Sequence, residues 1–241
     1  MKNKIALVTG ASKGIGKAIA LRLAQDGVEV IVNYATDKAG AEGVVQQIIK
    51  SGGTAKALQG DVSIIAGIQK MFSGIDKLDI LVNNAGVFPM GGLTDATEEI
   101  FDKIFDVNVK GLFFTTQEAA KRMADNGRIV NISTVLARIA TTSMGVYAAS
   151  KGAVDIMTRD FAKLLGSRGI TVNAVRPAFT KTEGTSGMVA NKELVEGFVK
   201  DTALGRVAEP KDIADVVAFL CSDDARWVTA QIIEASGGYH F

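Results

Sequence analysis

The stretch Ile5-Ala6-Leu7-Val8-Thr9-Gly10-Ala11-Ser12-Lys13-Gly14-Ile15-Gly16 joins a short apolar run to a helical pattern through a turn that contains three glycines. Glycine lets a backbone turn tightly and approach a ligand closely, and a helix N-terminus offers free N–H groups and a partial positive charge. The spacing G-x-x-x-G-x-G differs from the G-x-G-x-x-G fingerprint of dinucleotide sites, and no P-loop Gly-Lys-Ser/Thr closes it. By itself the stretch predicts either an anion site or a tight turn without a ligand.

Strand-like and helix-like segments alternate along the rest of the chain. The strand-like runs are rich in β-branched residues, and most are too apolar to face water on one side. This order predicts an α/β fold, a doubly wound three-layer sandwich with a seven-stranded parallel sheet. The predicted strands are Ile5–Thr9, Val28–Asn33, Thr54–Gln59, Ile80–Asn83, Arg128–Ile132, Thr171–Val175 and Gln231–Glu234. The predicted helices are Ile15–Asp26, Lys38–Lys50, Ile64–Ser73, Glu98–Arg122 with a break near Val107, Gly145–Leu165 and Ala208–Leu220.

The segment Thr180–Gly205 interrupts this rhythm. It contains several Gly, Thr and Ser residues and a weak helical pattern at Asn191–Val199. Long insertions of this kind are more often functional than decorative, and a disordered surface loop is the alternative. We expect one domain over residues 1–241, with this segment as a lid over a substrate site.

Composition limits the classes of protein that remain. The chain has 241 residues and a net charge of +1, from 27 basic and 26 acidic residues, so no nucleic-acid partner is expected. A single cysteine, Cys221, and a single histidine, His240, argue against a zinc site and a Ser-His-Asp hydrolase, and we expect no metal. The first apolar run is too short for a signal peptide, and no stretch approaches a membrane span. We therefore expect a soluble cytoplasmic protein with no membrane partner.

The end of the second strand bears on the choice of nucleotide. A dinucleotide site that prefers NAD usually has an acidic residue here, which binds the ribose hydroxyls. This chain has Asn33-Tyr34-Ala35-Thr36 instead, with Lys13 in the glycine turn and Lys38 just beyond the strand. The positive balance favours a 2′-phosphate, and hence NADP(H) over NAD(H), although both lysines also fit ordinary surface charge.

Tyr147 and Lys151 lie four residues apart in a predicted helix and therefore share one of its faces. An ammonium beside a phenol can lower the pKa of the phenol and make it a proton donor near neutral pH. The alternative is an ordinary surface pair, because Tyr and Lys often occur at this spacing. The pair by itself leaves both interpretations open.

Three motifs, taken in order, resemble those of the short-chain dehydrogenase/reductase family. They are Gly10-x-x-x-Gly14-x-Gly16, Asn83-Asn84-Ala85-Gly86 and Tyr147-x-x-x-Lys151, and the likeness spans the whole chain. Within the family the chain is similar to 3-oxoacyl-[acyl-carrier-protein] reductases and related ketone reductases. The resemblance implies a Rossmann-type NAD(P)-binding domain and a homotetramer. Apolar residues that extend around much of the helices 98–122 and 145–165 agree with packing against further copies of the chain.

The resemblance implies roles for the catalytic residues. Tyr147 would protonate the carbonyl oxygen as hydride arrives, and Lys151 would hold the ribose hydroxyls and favour the phenolate. Asn108 would bend a helix and hold a water that connects Lys151 with solvent. The family usually has Ser thirteen positions before the Tyr, and that position holds Thr134, with Ser133 beside it. Successive strand side chains face opposite ways, so we expect one of the two hydroxyls in the site and favour Thr134.

The resemblance also implies which residues surround the cofactor. Asp61 and Val62 would lie near the adenine, Asn84 to Gly86 near the second ribose, and Pro177 to Thr182 around the nicotinamide carboxamide. Ala178 replaces a usual glycine and fits only if its φ is negative. The expected cofactor residues are Gly10, Ser12, Lys13, Gly14, Ile15, Gly16, Asn33, Tyr34, Ala35, Thr36, Asp61, Val62, Asn84, Ala85, Gly86, Tyr147, Lys151, Pro177, Ala178, Phe179, Thr180 and Thr182.

These features predict an NADPH-dependent reductase that converts a ketone reversibly into a secondary alcohol. A chiefly apolar pocket rim favours a free hydrophobic ketone slightly over an acyl thioester on an acidic carrier protein, so a 3-oxoacyl-[acyl-carrier-protein] reductase is the alternative. A non-catalytic NADP-binding sensor or scaffold is a further one, against which intact Asn108, Tyr147 and Lys151 argue. The expected rim residues are Val135, Leu136, Arg138, Ile139, Met144, Val146, Phe179 and Met188.

Overall fold

The β-branched runs form one seven-stranded sheet in a computed structural model, which describes residues 1–240. The strand order is β3-β2-β1-β4-β5-β6-β7, and each neighbouring pair is parallel, which confirms the predicted fold class. The strands are β1 Ile5–Val8, β2 Glu29–Tyr34, β3 Ala55–Gln59, β4 Leu78–Asn83, β5 Met123–Ile132, β6 Thr171–Pro177 and β7 Ile232–Ala235.

Strand β5 differs most in extent from the sequence prediction, and the other strands agree with it to within two residues at each end. β5 begins at Met123 rather than Arg128, and its pairing with β4 shifts register between Leu78 and Ile80. A bulge of this kind takes up extra residues in one strand, so the early part of β5 lacks the regular alternation of a strand. β6 continues to Pro177, where a proline at a strand end is tolerated.

Helices connect the strands and lie close to the predicted positions. The predicted break near Val107 is a change of geometry, since Asp106–Gly111 form a π-helical turn that joins two α-helices continuously. Such turns are rare and often occur at functional sites. The helices are α1 Gly14–Gln25, α2 Lys38–Lys50, α3 Ile65–Phe72, α4 Glu98–Phe105, α5 Leu112–Arg122, α6 Gly145–Leu165, α7 Ser186–Val189, α8 Lys192–Lys200 and α9 Pro210–Cys221.

The interior strand β1 packs against helices on both faces of the sheet. Ala6 and Val8 belong to one buried cluster, which includes residues of α1, α2 and α9, whereas Leu7 belongs to the other, which includes residues of α3, α5 and α6. Successive side chains of a strand point to opposite faces, so a doubly covered sheet requires this division. Among the helices in residues 1–240, none is both long and apolar enough to cross a membrane.

The strand order creates a crevice at the carboxyl edge of the sheet. β1 pairs with β2 on one side and with β4 on the other, so the connections diverge at this point. Open α/β sheets bind their ligands in such crevices. The turn that begins at Thr9 follows β1, Asn84 follows β4, Thr134 follows β5 and Ala178 follows β6. The sheet therefore brings these four segments to one edge.

The segment Thr180–Gly205 is largely helical. It contains a 3₁₀ turn at Glu183–Thr185, then α7 and α8, and α8 confirms the weak helical pattern predicted at Asn191–Val199. Isolated β-bridges of Thr180 and Thr202 attach its two ends to Ala208 and Tyr239. The segment is thus fixed at both ends to the remainder of the fold.

Candidate active site

The glycine turn after β1 has the backbone that its sequence predicts. Gly10 and Gly14 have φ values of +61° and +59°, a region that other L-residues rarely adopt. A Cβ on Gly16 would overlap the side-chain amide of Asn84 and the carbonyl of Gly10. Two of the glycines are therefore required by conformation, and the third by the close approach of helix and strand.

Side chains from two neighbouring strands hold this turn in place. Asn84 Nδ2 donates to Thr9 O at 2.9 Å and to Gly10 O at 3.0 Å, and Thr9 Oγ1 accepts from the backbone N–H groups of Asn84 and Ala85. Asn33 is buried, and its Oδ1 accepts from Gly10 N–H at 3.2 Å. The side chains of Asn33 and Asn84, both expected to face the cofactor, are thus turned toward the protein and support the site indirectly.

The start of α1 is suited to an anion. The N-cap residue, Lys13, makes no capping hydrogen bond, and the first turn contains no acidic residue. The N–H of Gly14 instead donates to Glu183 Oε2 at 3.0 Å, so a carboxylate from the segment 180–205 lies where an anion is favoured. This carboxylate at the helix start and the crowding around Gly16 fit the pyrophosphate of a dinucleotide.

Further residues expected to contact a cofactor lie at or near the same edge of the sheet. Tyr34 ends β2 and its side chain packs in the buried core cluster, while Ala35 and Thr36 are exposed just beyond it. Asp61 follows β3 and accepts from the backbone N–H and the hydroxyl of Ser63. Ala178 is not among the non-glycine residues with positive φ, so it meets the condition for replacing a glycine.

Asn108 in the π-helical turn connects three parts of the site. Its Oδ1 accepts from Val87 N–H at 2.9 Å, and its Nδ2 donates to Val87 O at 2.9 Å and to Ser150 Oγ at 3.1 Å. A Cβ on Gly86 would lie 3.3 Å from Asn108 Oδ1 and 3.5 Å from Lys151 Nζ, so a glycine lets these groups converge. Because the Asn108 amide bonds to protein groups, its proposed hold on a water molecule stays a prediction.

Tyr147 and Lys151 lie on one face of α6, as their spacing predicts. Lys151 is buried, its Nζ donates to Ile132 O at 2.7 Å, and the same atom lies 5.9 Å from the centroid of the Tyr147 ring. The Tyr147 ring contacts Phe88 in an edge-to-face arrangement with centroids 6.1 Å apart. Lys151 is thus buried and Tyr147 partly buried, so the two residues are not an ordinary surface pair.

The two neighbouring hydroxyls after β5 point in different directions. Thr134 interacts with the phenol of Tyr147, and its Oγ1 also accepts from Leu136 N–H at 3.4 Å. Ser133 Oγ donates weakly to the backbone carbonyl of Lys151 at 3.4 Å instead. Both residues follow Ile132, the last residue of β5, and the Thr134 hydroxyl is the one that acts on Tyr147.

Burial dominates the pKa values of the pair. It raises the pKa of Tyr147 to about 12, and the Thr134 hydroxyl offsets part of that rise. It lowers the pKa of Lys151 to about 8, and the negative charge of Asp155 opposes this fall. The net shift of the phenol pKa is therefore upward and not downward as expected, because burial outweighs any lowering by the ammonium, which lies 5.9 Å from the ring centroid.

Some residues around the site do not belong to any of the sequence motifs. Phe88 lies between Tyr147 and Gly184, whose added Cβ would lie 3.3 Å from the Phe88 ring. Glu183 reaches the start of α1. Asp155 lies one helical turn beyond Lys151 and pairs with Arg176, and only this spacing could have singled it out. Within residues 1–240, no cluster of His, Cys, Asp and Glu could hold a metal ion.

Comparison with known proteins agrees with this arrangement. A family model described as Enoyl-(Acyl carrier protein) reductase matches residues 10–240. The 3-oxoacyl-[acyl-carrier-protein] reductase FabG of Staphylococcus aureus is 40% identical over 243 residues, which cover 98% of this chain and 98% of that protein. The chain therefore belongs to the short-chain dehydrogenase/reductase family of oxidoreductases, as its motifs predict.

Solved structures of ketoreductases are similar over nearly the whole chain. The angucycline C-6 ketoreductase LanV with bound NADP is 43% identical, with a TM-score of 0.94, covering 99% of this chain and 96% of that one. The promiscuous reductase LugOII, which catalyses keto-reduction at C1 during lugdunomycin biosynthesis, is 40% identical, with a TM-score of 0.94 and coverage of 100% and 99%. Both relatives are ketoreductases, and LanV holds NADP.

The buried ammonium of Lys151 should reduce stability at neutral pH. The folded-state pKa of about 8 lies below the ordinary 10.5, so charging this group in the folded protein costs free energy at every pH below about 8. We expect Lys151→Met to raise the free energy of unfolding at pH 7 by about 2 kcal/mol. This gain should shrink between pH 8 and 10.5, because the folded wild type then sheds the proton that its unfolded chain retains.

Urea unfolding from pH 6 to 10.5 measures the difference between the two proteins. Lys163→Met, on an exposed position of the same helix, is the matched control and should differ from wild type by less than about 0.5 kcal/mol at every pH. A variant at Lys151 that is less stable than wild type at pH 7, or whose gain does not vary with pH, would contradict the expected cost of the buried charge.

Proposed function

We propose that this protein is an NADPH-dependent reductase that converts a ketone into a secondary alcohol, reversibly. The observation that carries the proposal is the convergence of Tyr147, Thr134, Lys151 and Asn108 at the sheet edge that also holds the glycine turn. A sensor or scaffold would bind a nucleotide without needing a proton donor in such a pocket. The ketoreductase activities of LanV and LugOII support the same chemistry.

The proposed chemistry assigns one task to each group of the chain. When bound, NADPH supplies the hydride that adds to the carbonyl carbon. Tyr147, whose pKa of about 12 keeps it protonated at neutral pH, donates its proton to the carbonyl oxygen as negative charge develops there. Thr134 donates a hydrogen bond to that oxygen, and Lys151 stabilises the phenolate that remains. The phenol is an adequate donor despite its high pKa, because an alkoxide is a stronger base than a phenolate.

The coenzyme preference is proposed from charge. Lys13 is exposed at the turn before α1, and no acidic residue occupies the end of β2. Lys38 is also near this end, but it forms an ion pair with Glu42 at 3.6 Å. Lys13 is thus the better candidate for the 2′-phosphate of NADPH, and the NADP in LanV supports that assignment.

The substrate is proposed to be a free apolar ketone. The ring of Phe88 beside Tyr147 and the residues that follow Thr134 offer apolar walls. The cations that an acidic carrier protein would need are paired internally, since Lys121 and Arg122 bond to Glu118, and Arg138 bonds to Glu234. This pairing favours a free ketone over a carrier-bound thioester, the activity of FabG.

The segment 180–205 and the outer faces of the long helices complete the proposal. We propose that the segment acts as a lid, because Glu183 and Gly184 reach the two halves of the site. We also propose a homotetramer. Apolar side chains on α4 to α6 remain exposed, among them Phe101, Ile156 and Leu164 at 46%, 63% and 71%.

Removing the phenol tests the activity itself. Tyr147→Phe should reduce kcat by about 10³-fold or more, because the variant has no proton to donate at this position. NADPH absorbance is followed with an aryl ketone and with acetoacetyl-coenzyme A as the two substrates. Turnover of neither by the wild type, or an unchanged rate in the variant, would reject the proposed reductase. A faster rate with the thioester would favour the carrier-protein reductase instead.

The two hydroxyls beside the site give a second test. Thr134→Val should lower kcat/KM by about 10²-fold, because it removes a donor to the developing oxyanion while keeping the shape of the side chain. Ser133→Ala should stay close to wild type, since its hydroxyl contacts the backbone of α6. Thr134→Ser should restore most of the activity. A larger loss in Ser133→Ala than in Thr134→Val would reverse the assignment.

Coenzyme selectivity tests the role of Lys13. Lys13→Ala should raise KM for NADPH by about 10-fold and leave KM for NADH nearly unchanged, because only NADPH carries the 2′-phosphate. Lys38→Ala should have a smaller effect, since Glu42 already compensates its charge. Lys50→Ala, at the exposed far end of α2, is the control for net charge. Equal changes for both coenzymes would show that Lys13 does not meet the phosphate.

A further inference from the structure

A chain of ion pairs begins one helical turn beyond Lys151. Asp155 is buried, and its Oδ2 accepts from Arg176 Nη2 at 2.6 Å and from Nε at 3.1 Å. Arg176 Nη1 donates to Glu234 Oε1 at 3.2 Å, and Glu234 in turn pairs with Arg138 at 2.7 Å. This series of ion pairs extends from the buried Asp155 of α6 to the exposed side chain of Arg138.

This series of ion pairs connects the helix and strands around the candidate active site. Asp155 lies on α6 with Tyr147 and Lys151, and Arg176 directly precedes Pro177 in β6. Glu234 lies in β7, and Arg138 follows the 3₁₀ turn after Thr134. The proposed chemistry does not use any of these four side chains. A series of surface ion pairs would not require a buried carboxylate such as Asp155 at one end.

The inner carboxylate is incompletely satisfied. Asp155 Oδ1 is buried without a hydrogen-bond partner in the described part of the chain, although Oδ2 receives both bonds from Arg176. An unpaired buried oxygen is costly and calls for a physical explanation. Residues four apart on a helix lie on the same face, so Asp155 and Lys151 are adjacent along α6.

We infer that Asp155 is a positioning residue for Lys151. The negative charge of Asp155 keeps the neighbouring ammonium of Lys151 protonated, and the positive charge of Arg176 weakens this effect. This inference rests on the proposed reductase function, in which Lys151 must be cationic to stabilise the phenolate of Tyr147.

The groups packed around Lys151 explain why it needs such a residue. Ile132 O of β5 is a neutral acceptor, Asn108 of the π-helical turn is uncharged, and Tyr147 is neutral near pH 7. From β6, Arg176 approaches Asp155 and carries the opposite charge, and Glu234 of β7 lies beyond it. Asp155 is thus the carboxylate that counteracts the effect of burial on the Lys151 pKa.

The arrangement makes opposite predictions for the two members of one ion pair. Asp155→Asn removes the negative charge and should move the Lys151 titration downward by about one pH unit. Arg176→Gln removes the compensating positive charge and should move it upward by a smaller amount, because Arg176 pairs with Asp155 and not with Lys151 itself. A purely structural pair would give two variants with the same loss of stability and no opposed change in titration.

The experiment titrates Lys151 in the protein without coenzyme, by NMR of lysine labelled with ¹³C at the ε position. The resonance is assigned by its loss in Lys151→Met. Asp160→Asn, an exposed position of α6 with the same change of net charge, is the control and should leave the titration unchanged. In the reductase assay, the alkaline limb of the kcat profile should follow the same shifts.

The double variant Asp155→Asn with Arg176→Gln keeps the test decisive if a single variant fails to fold, since it leaves neither charge unpaired. It should show a smaller downward shift than Asp155→Asn, because the positive charge of Arg176 is removed together with the negative charge of Asp155. Unchanged titration in the folded variants, shifts of the same sign in both singles, or failure of all three to fold would overturn the inference. Because the titration needs no turnover, it separates this inference from the proposed function, which Tyr147→Phe tests.

Discussion

The parallel pairing of β1 with β4 is the constraint on which the site depends. It places Thr9 and Asn84 at adjacent strand ends, where the Asn84 amide bonds to two carbonyls of the glycine turn. That turn directs the start of α1 into the crevice, and the helix end supplies positive potential that the Glu183 carboxylate meets. The geometry of the glycine turn therefore follows from a strand pairing and from the side chains of Thr9 and Asn84, which bond to the protein itself.

The position of Lys151 in the site requires a charged group to be buried, which lowers the stability of the fold. Lys151 lies in the interior, where burial disfavours its charge, and one backbone carbonyl is its hydrogen-bond acceptor. A core of the same volume built from apolar side chains would be more stable. The surrounding parts of the fold hold the lysine there: the π-helical turn brings Asn108 toward Val87 and Ser150, and Gly86 leaves room for both polar groups.

Several parts of the site follow directly from spacing. The interval of four residues between Tyr147 and Lys151 places them on one helix face, and the glycines of the turn adopt the φ values that only glycine adopts readily. The hydroxyls of Ser133 and Thr134 diverge just beyond the end of β5. The net pKa shift of Tyr147 is upward and not downward as expected, because spacing does not reveal how deeply the phenol is buried.

The sequence by itself determined the α/β fold, the order of its strands and helices, the glycine turn and the pairing of Tyr147 with Lys151 on one helix face, because each depends on periodicity or on short-range sterics. The tertiary structure alone decided that Asn33 and Asn84 face inward, that Glu183 reaches α1, and that Asp155 and Arg176 form a pair. These contacts join residues from 21 to 169 positions apart. No local pattern encodes such distances, since they follow from which strands become neighbours in the sheet.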